Sequence, residues 1–143
     1  MTIYFAFTVR GNRGALAAAR EVSAMLQQHG HDVLTTHLLL DDPDGAESAL
    51  TDGEVYARDI GWLESADLLI AEASGSSYGV GFEVGYVLAR SEQTGQRVLL
   101  LFDEARRPAI SRFIAGANHP ACTVRGYREP ADLLAIVQGY LSA

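Results

Sequence analysis

The sequence contains no lysine: all 11 of its basic residues are arginine. That excludes Schiff-base chemistry and Walker-type phosphate binding, both of which need a lysine amine. A single cysteine, Cys122, rules out an internal disulfide and any CxxC metal or redox motif. It falls in a predicted strand, where a packing role is the simpler reading. Positive charge is scarce overall, and the formal net charge of -7 argues against long nucleic acid or an anionic membrane as partner, since both need a clustered basic surface. No apolar run approaches the ~20 residues that span a bilayer. Met1-Thr2-Ile3-Tyr4 has neither the basic start nor the cleavage site of a signal peptide, so the expected location is cytoplasmic. The histidines (His29, His31, His37, His119) show no zinc-ligand spacing beyond a His-x-His in a turn.

What is present is a chain of 143 residues, 48% of them hydrophobic, enough for one domain over residues 1–143 with a full core. Short apolar runs alternate with helical patterns. Ile3 to Phe7 reads as a strand. Residues 13 to 29 read as a helix with Leu16, Ala19, Val22 and Leu26 inward and Gly30 as the stop. Asp32 to Thr35 is a second strand, and Asp41 to Gly45 an exposed loop. A helix over 53–65 precedes a third strand, Asp67 to Glu72, whose apolar run suits burial on both faces. Ser74 to Ser77 leads into a helix from about Gly79 to Glu92. Arg97 to Phe102, a short helix from Pro108 to Ala115, a strand at Ala121 to Arg125 and a helix from Glu129 to Leu141 complete the chain. This alternation predicts an α/β three-layer sandwich: a five-stranded parallel sheet, flavodoxin- or Rossmann-like, in the order 2-1-3-4-5. Ligands then bind at the switch point between strands 1 and 3, facing Thr8 to Gly14 and Ala73 to Gly79.

Two carboxylates fall where apolar residues are expected. Glu83 shares a helix face with Val80, Val84, Val87 and Leu88. Burial would raise its pKa, while a place in the first turn would favour the anion. The alternative is an ordinary first-turn glutamate. Asp59 fills the slot between Val55 and Trp62, with Trp62 and Leu63 as apolar walls that would keep it protonated; the alternative is a solvent-facing aspartate on a rotated helix. One ionised and one protonated carboxyl is the arrangement for glycosidic cleavage with retention. Tyr4, on strand 1, is placed either to orient Glu83 or simply to pack. Arg10-Gly11-Asn12-Arg13-Gly14 suits an anion such as phosphate. Ser76-Ser77-Tyr78-Gly79 offers hydroxyls and N–H groups at a helix start, or only a cap.

Three segments resemble the 2'-deoxynucleoside 5'-phosphate N-hydrolase family, a branch of the nucleoside 2-deoxyribosyltransferase group: Tyr4 to Gly11, Asp59 to Leu63 running into Ala66-Asp67, and Gly79 to Gly85 with Ala71-Glu72 upstream. The resemblance implies a hydrolase that splits the N-glycosidic bond of a (deoxy)nucleoside 5'-monophosphate. Glu83 would be the nucleophile, forming a glycosyl-enzyme. Asp59 would assist departure of the base, and Tyr4 would position the nucleophile and crowd the 2' position. Thr8, Arg10, Gly11, Ser77 and Gly79 match phosphate-binding positions. Ser111 matches a serine that reaches the phosphate from the neighbouring subunit of a homodimer, and His37 a histidine near the base. No metal or redox cofactor is implied. The chain departs from the family at Phe7-Thr8, where a Gly-Ser pair is common, and at Asn12, which replaces a glycine. Rival readings are a nucleoside 2-deoxyribosyltransferase that passes the sugar to a second base and a ribonucleotide hydrolase of the cytokinin-activating kind. A non-catalytic nucleotide or flavin binder gives no reason for the inward carboxylates. A receiver domain would want acidic residues where Phe7 and Thr8 stand.

Overall fold

A computed structural model describes residues 1–143. Five parallel strands, β1 (Thr2–Ala6), β2 (Asp32–Val33), β3 (Leu68–Glu72), β4 (Arg97–Asp103) and β5 (Cys122–Tyr127), form one sheet in the order β2-β1-β3-β4-β5. The long helices are α1 (Leu16–Gln28), α3 (Asp52–Ser65), α4 (Tyr78–Thr94) and α6 (Pro130–Leu141); α2 (Pro43–Glu47) and α5 (Arg112–Ala115) are short. No helix is long and apolar enough to cross a membrane.

Strand alternation sorts the core into two layers. Ile3, Phe5 and Phe7 pack with α1 and α6, whereas Tyr4 and Ala6 face the other way, into the cluster that holds Leu63 of α3 and Val80, Val84 and Val87 of α4. Every residue of β3 is buried, and each of its large aliphatic side chains contributes roughly 1.5–3 kcal/mol by leaving water. Local signals set the helix ends. Thr51 and Glu54 form a reciprocal capping box at the start of α3. The buried Gln96 side chain donates to the carbonyls of Leu63 and Ala66 at its far end, supplying partners that the last turn lacks. Gly95, in the left-handed region at φ 72°, ends α4.

The structure departs from the sequence expectation in three places. The second strand stops at Val33 because the buried Thr35 side chain takes over the pairing: its Oγ1 donates to the Phe5 carbonyl and accepts from the Phe5 N–H. The expected loop at Asp41 to Gly45 instead begins α2, with Asp42 as N-cap accepting from the Gly45 N–H and Pro43 at the start. The expected helix from Pro108 to Ala115 is split into a 3-10 turn over Glu104–Ala109 and α5. Extended backbone at Ile110 and Ser111 separates the two.

Candidate active site

The loops after β1 and β3 meet as adjacent strands of a switch point require. They are packed without side-chain spacers. A Cβ on Gly75 would lie 2.2 Å from Thr8 Cγ2, and one on Gly11 2.1 Å from the Gly75 carbonyl oxygen. The Asn12 N–H donates to that same carbonyl. Ser76, next in the chain, is in the left-handed region at φ 55° and donates its hydroxyl to the Ala109 carbonyl. A non-glycine residue in that conformation is uncommon and clusters at ligand sites.

Beside these loops is a cavity of about 410 Å³, within the range of small-molecule sites. Its walls carry Arg10 and Gly11 from the first loop, Ser76 to Val80 from the second loop and the start of α4, and Asp59 and Glu83 from the two facing helices. Six of the expected site residues, Arg10, Gly11, Asp59, Ser77, Gly79 and Glu83, are thereby brought together. Tyr4 joins them from behind: buried in the core, it donates its hydroxyl to Glu83 Oε1 at 2.7 Å.

The electrostatics differ from expectation. Glu83 stands in the second turn of α4, past the reach of the first-turn dipole. Burial pushes its carboxyl up to about 7; the Tyr4 hydrogen bond opposes that rise and the Asp59 charge adds to it. Burial also raises the Asp59 carboxyl, but here the opposing group is Arg58. Trp62 has a role that the sequence did not suggest. It is the platform on which the Arg58 guanidinium stacks, 4.6 Å from the ring centre. From there Arg58 bonds Asp59 Oδ1 at 2.7 Å and also Glu47. The Tyr4 hydroxyl is pushed well above its ordinary pKa by burial and by Glu83, so it remains a donor.

Three expected site residues do not reach the cavity within this chain. Thr8 is fully buried, with its hydroxyl oxygen accepting from the Gly11 N–H at 2.9 Å, so it shapes the loop. His37 bonds Glu47 through Nε2 at 3.0 Å and tilts against Trp62, so it stands behind the wall. Ser111 lines a separate, largely apolar hollow of about 290 Å³. That hollow shares Ser76, Ser77, Tyr78 and Val80 with the main cavity. Arg58 and Glu47 were not singled out from sequence. Arg58 has only its adjacency to Asp59 as a signal, and Glu47 lies in an irregular stretch whose helix is too short to show a period.

A cavity at the switch point of a parallel sheet, with a half-buried carboxylate held by a tyrosine, defines a Rossmann-like α/β enzyme scaffold with paired acidic groups. The sequence model of the nucleoside 2-deoxyribosyltransferase family matches residues 3–128. A putative 2'-deoxynucleoside 5'-phosphate N-hydrolase 1 of Thermofilum pendens is 41% identical over 116 residues, 81% of this chain and 78% of that protein. The 5-hydroxymethyl-dUMP N-hydrolase of Danio rerio is 34% identical over 131 residues, 90% of this chain and 88% of that protein. Among solved structures, the Clostridium botulinum CMP N-glycosidase aligns with a TM-score of 0.72 at 16% identity, covering 98% of this chain and 99% of the other; that likeness is one of fold. The chain belongs to the nucleoside 2-deoxyribosyltransferase family, and it is an enzyme of the N-glycosidase type.

Proposed function

We propose that this protein hydrolyses the N-glycosidic bond of (2'-deoxy)nucleoside 5'-monophosphates, releasing the free base and (deoxy)ribose 5-phosphate. The observation that carries this reading is the Tyr4–Glu83 hydrogen bond in a cavity whose facing wall bears Asp59. A carboxylate with little hydration and one oxygen fixed by a tyrosine is a poised nucleophile. Glu83 attacks C1', the C1'–N bond breaks, and its electron pair goes to the base nitrogen, which takes a proton from Asp59 in the form protonated on its unpaired oxygen Oδ2, a form that burial favours and Arg58 opposes. Water then adds to C1', giving its proton to the Asp59 carboxylate, and Glu83 leaves as the free carboxylate. The N-hydrolase names of the relatives support hydrolysis.

Phosphate binding fits the Gly11 loop and the Ser77–Gly79 turn, where main-chain N–H groups at the start of α4 are available to an anion. Arg10 stands at the rim, paired with Asp44 at 3.2 Å and largely exposed, so its guanidinium is free to exchange partners. Tyr78, 99% exposed, lines the hollow that holds Ser111, and Phe113, 88% exposed, follows Ser111 in α5. A second copy of the chain covering that face would bury both aromatics and bring its own Ser111 to the phosphate, as the family resemblance implies for a homodimer.

A panel of nucleoside monophosphates assayed for free base tests the reading. Glu83→Ala is expected to stay folded, still bind nucleotide, and lose at least about 10³-fold in turnover. Ordinary turnover in that variant would remove Glu83 as the nucleophile. Adding a second free base separates hydrolysis from transfer: hydrolysis predicts release without a new nucleotide.

A further inference from the structure

The cluster of Glu47, Arg58, His37 and Trp62 belongs to none of the roles above. Glu47 and Asp59 both line the cavity, whereas Arg58, His37 and Trp62 do not. One guanidinium, stacked on Trp62, ties one oxygen of each carboxylate: Asp59 through Oδ1 and Glu47 through Oε1, the latter also bonded by His37. Glu47 Oε2 accepts no hydrogen bond within the chain. Its side chain is only 17% exposed, so water satisfies that oxygen poorly once a ligand fills the space. Of the other residues lining the cavity, Leu38 and Val55 offer no polar side-chain group, and Asp44 is paired with Arg10. The side-chain donors of the cavity, Arg10 and Ser76 to Tyr78, sit on the phosphate-side loops.

We propose that Glu47 is a specificity-determining residue: its free carboxylate oxygen selects a nucleobase that carries an exocyclic hydrogen-bond donor. This rests on the nucleotide N-hydrolase reading. A ring amino group or a hydroxymethyl group supplies that donor. A base whose only substituents are carbonyl oxygens and a methyl group offers Glu47 no exocyclic donor, leaving Oε2 without a hydrogen bond in the filled cavity, and a site built around such a hydrogen bond rejects analogues that lack it. Arg58 is a positioning residue. It fixes Glu47 for the exocyclic group and Asp59 for the leaving nitrogen on one rigid fork, so recognition and departure of the base are aligned by the same side chain.

The test compares kcat/KM for dCMP and dAMP (amino donors), 5-hydroxymethyl-dUMP (hydroxyl donor), and dUMP and dTMP (no exocyclic donor). The wild type is expected to favour the donor-bearing substrates by about tenfold or more, the weight of one hydrogen bond to a charged group. In Glu47→Gln the amide can turn its N–H outward, and the donor-over-oxo ratio is expected to fall about tenfold with the melting temperature little changed. Arg58→Met is expected to lower the same ratio, since Glu47 is then held only by His37. The amino and hydroxymethyl arms show which donor the edge accepts. Equal rates across the wild-type panel, or a uniform loss in Glu47→Gln that leaves the ratio intact, would overturn the proposal. If no substrate yields free base, the hydrolase reading fails; the ratio of Kd values for dCMP and dUMP, by titration calorimetry, still decides the role of Glu47.

Discussion

At the scale of single residues, the site is governed by what burial does to a carboxyl. A group whose pKa rises on folding binds more protons folded than unfolded, so stability falls as pH climbs between the two values. For Glu83 that window runs from the usual 4.5 to about 7. Glu83→Gln keeps the shape and a partner for the Tyr4 hydroxyl but has no charge to bury. The variant is therefore expected to be more stable than the wild type above pH 7, by on the order of 3 kcal/mol, with the gap closing toward pH 4.5. Chemical denaturation at pH 5 and pH 8 checks this, and an equal difference at both pH values would refute it. Because attack needs the anion, kcat/KM should show an acid limb near pH 7. The inward placement of both carboxylates was legible in the sequence, because a helical face interrupted by an acid is a periodic signal. Their charge states were not. The neighbour that counters the rise at Asp59 is Arg58, and its stacking on Trp62 depends on tertiary contacts that no spacing records.

At the scale of elements, the two loops of the switch point stand or fall together. Gly75 has no room for a methyl group, since its Cβ would meet Thr8 Cγ2 and Cβ inside a buried neighbourhood. Gly75→Ala is expected to cost about 1–3 kcal/mol of stability and to weaken nucleotide binding by displacing the Gly11 N–H. Thr8→Ser removes the Cγ2 but keeps the hydroxyl that accepts from Gly11, so the double variant should be less destabilised than the two single changes added together. Strict additivity in thermal melts would show that the two positions do not interact. The element order and sheet order were readable because apolar runs alternate with helical periods along the whole chain. The failures cluster where side chains replace main-chain logic. Thr35 substitutes for a strand residue, and Asp42 caps a helix of five residues whose composition resembles a loop. In the sequence, the Thr8 hydroxyl matches a phosphate-binding position of the family. Only the fold shows that hydroxyl already engaged.

At the scale of the whole molecule, the polar mouth and the exposed aromatic face share one structural seam, Ser76 to Val80. If a second copy covers that face, association and activity are linked. Phe113→Asp puts a charge on an exposed aromatic outside the cavity lining of its own chain. It is expected to shift the protein from dimer to monomer in sedimentation velocity and to raise KM through loss of the partner's serine. A wild type that sediments as a monomer at all concentrations would dismiss the shared site. Neither the seam nor the exposure of Phe113 was visible in the sequence, where an aromatic in a short helical pattern looks like core.

The crosswise contact of Gly11 and Gly75 has one more consequence. A pocket whose halves are already locked together by the folded chain has little left to rearrange when its guest arrives. Capture should resemble a key meeting a cut lock, with selectivity residing in the shape and charge of the walls and no energy diverted into closing a lid.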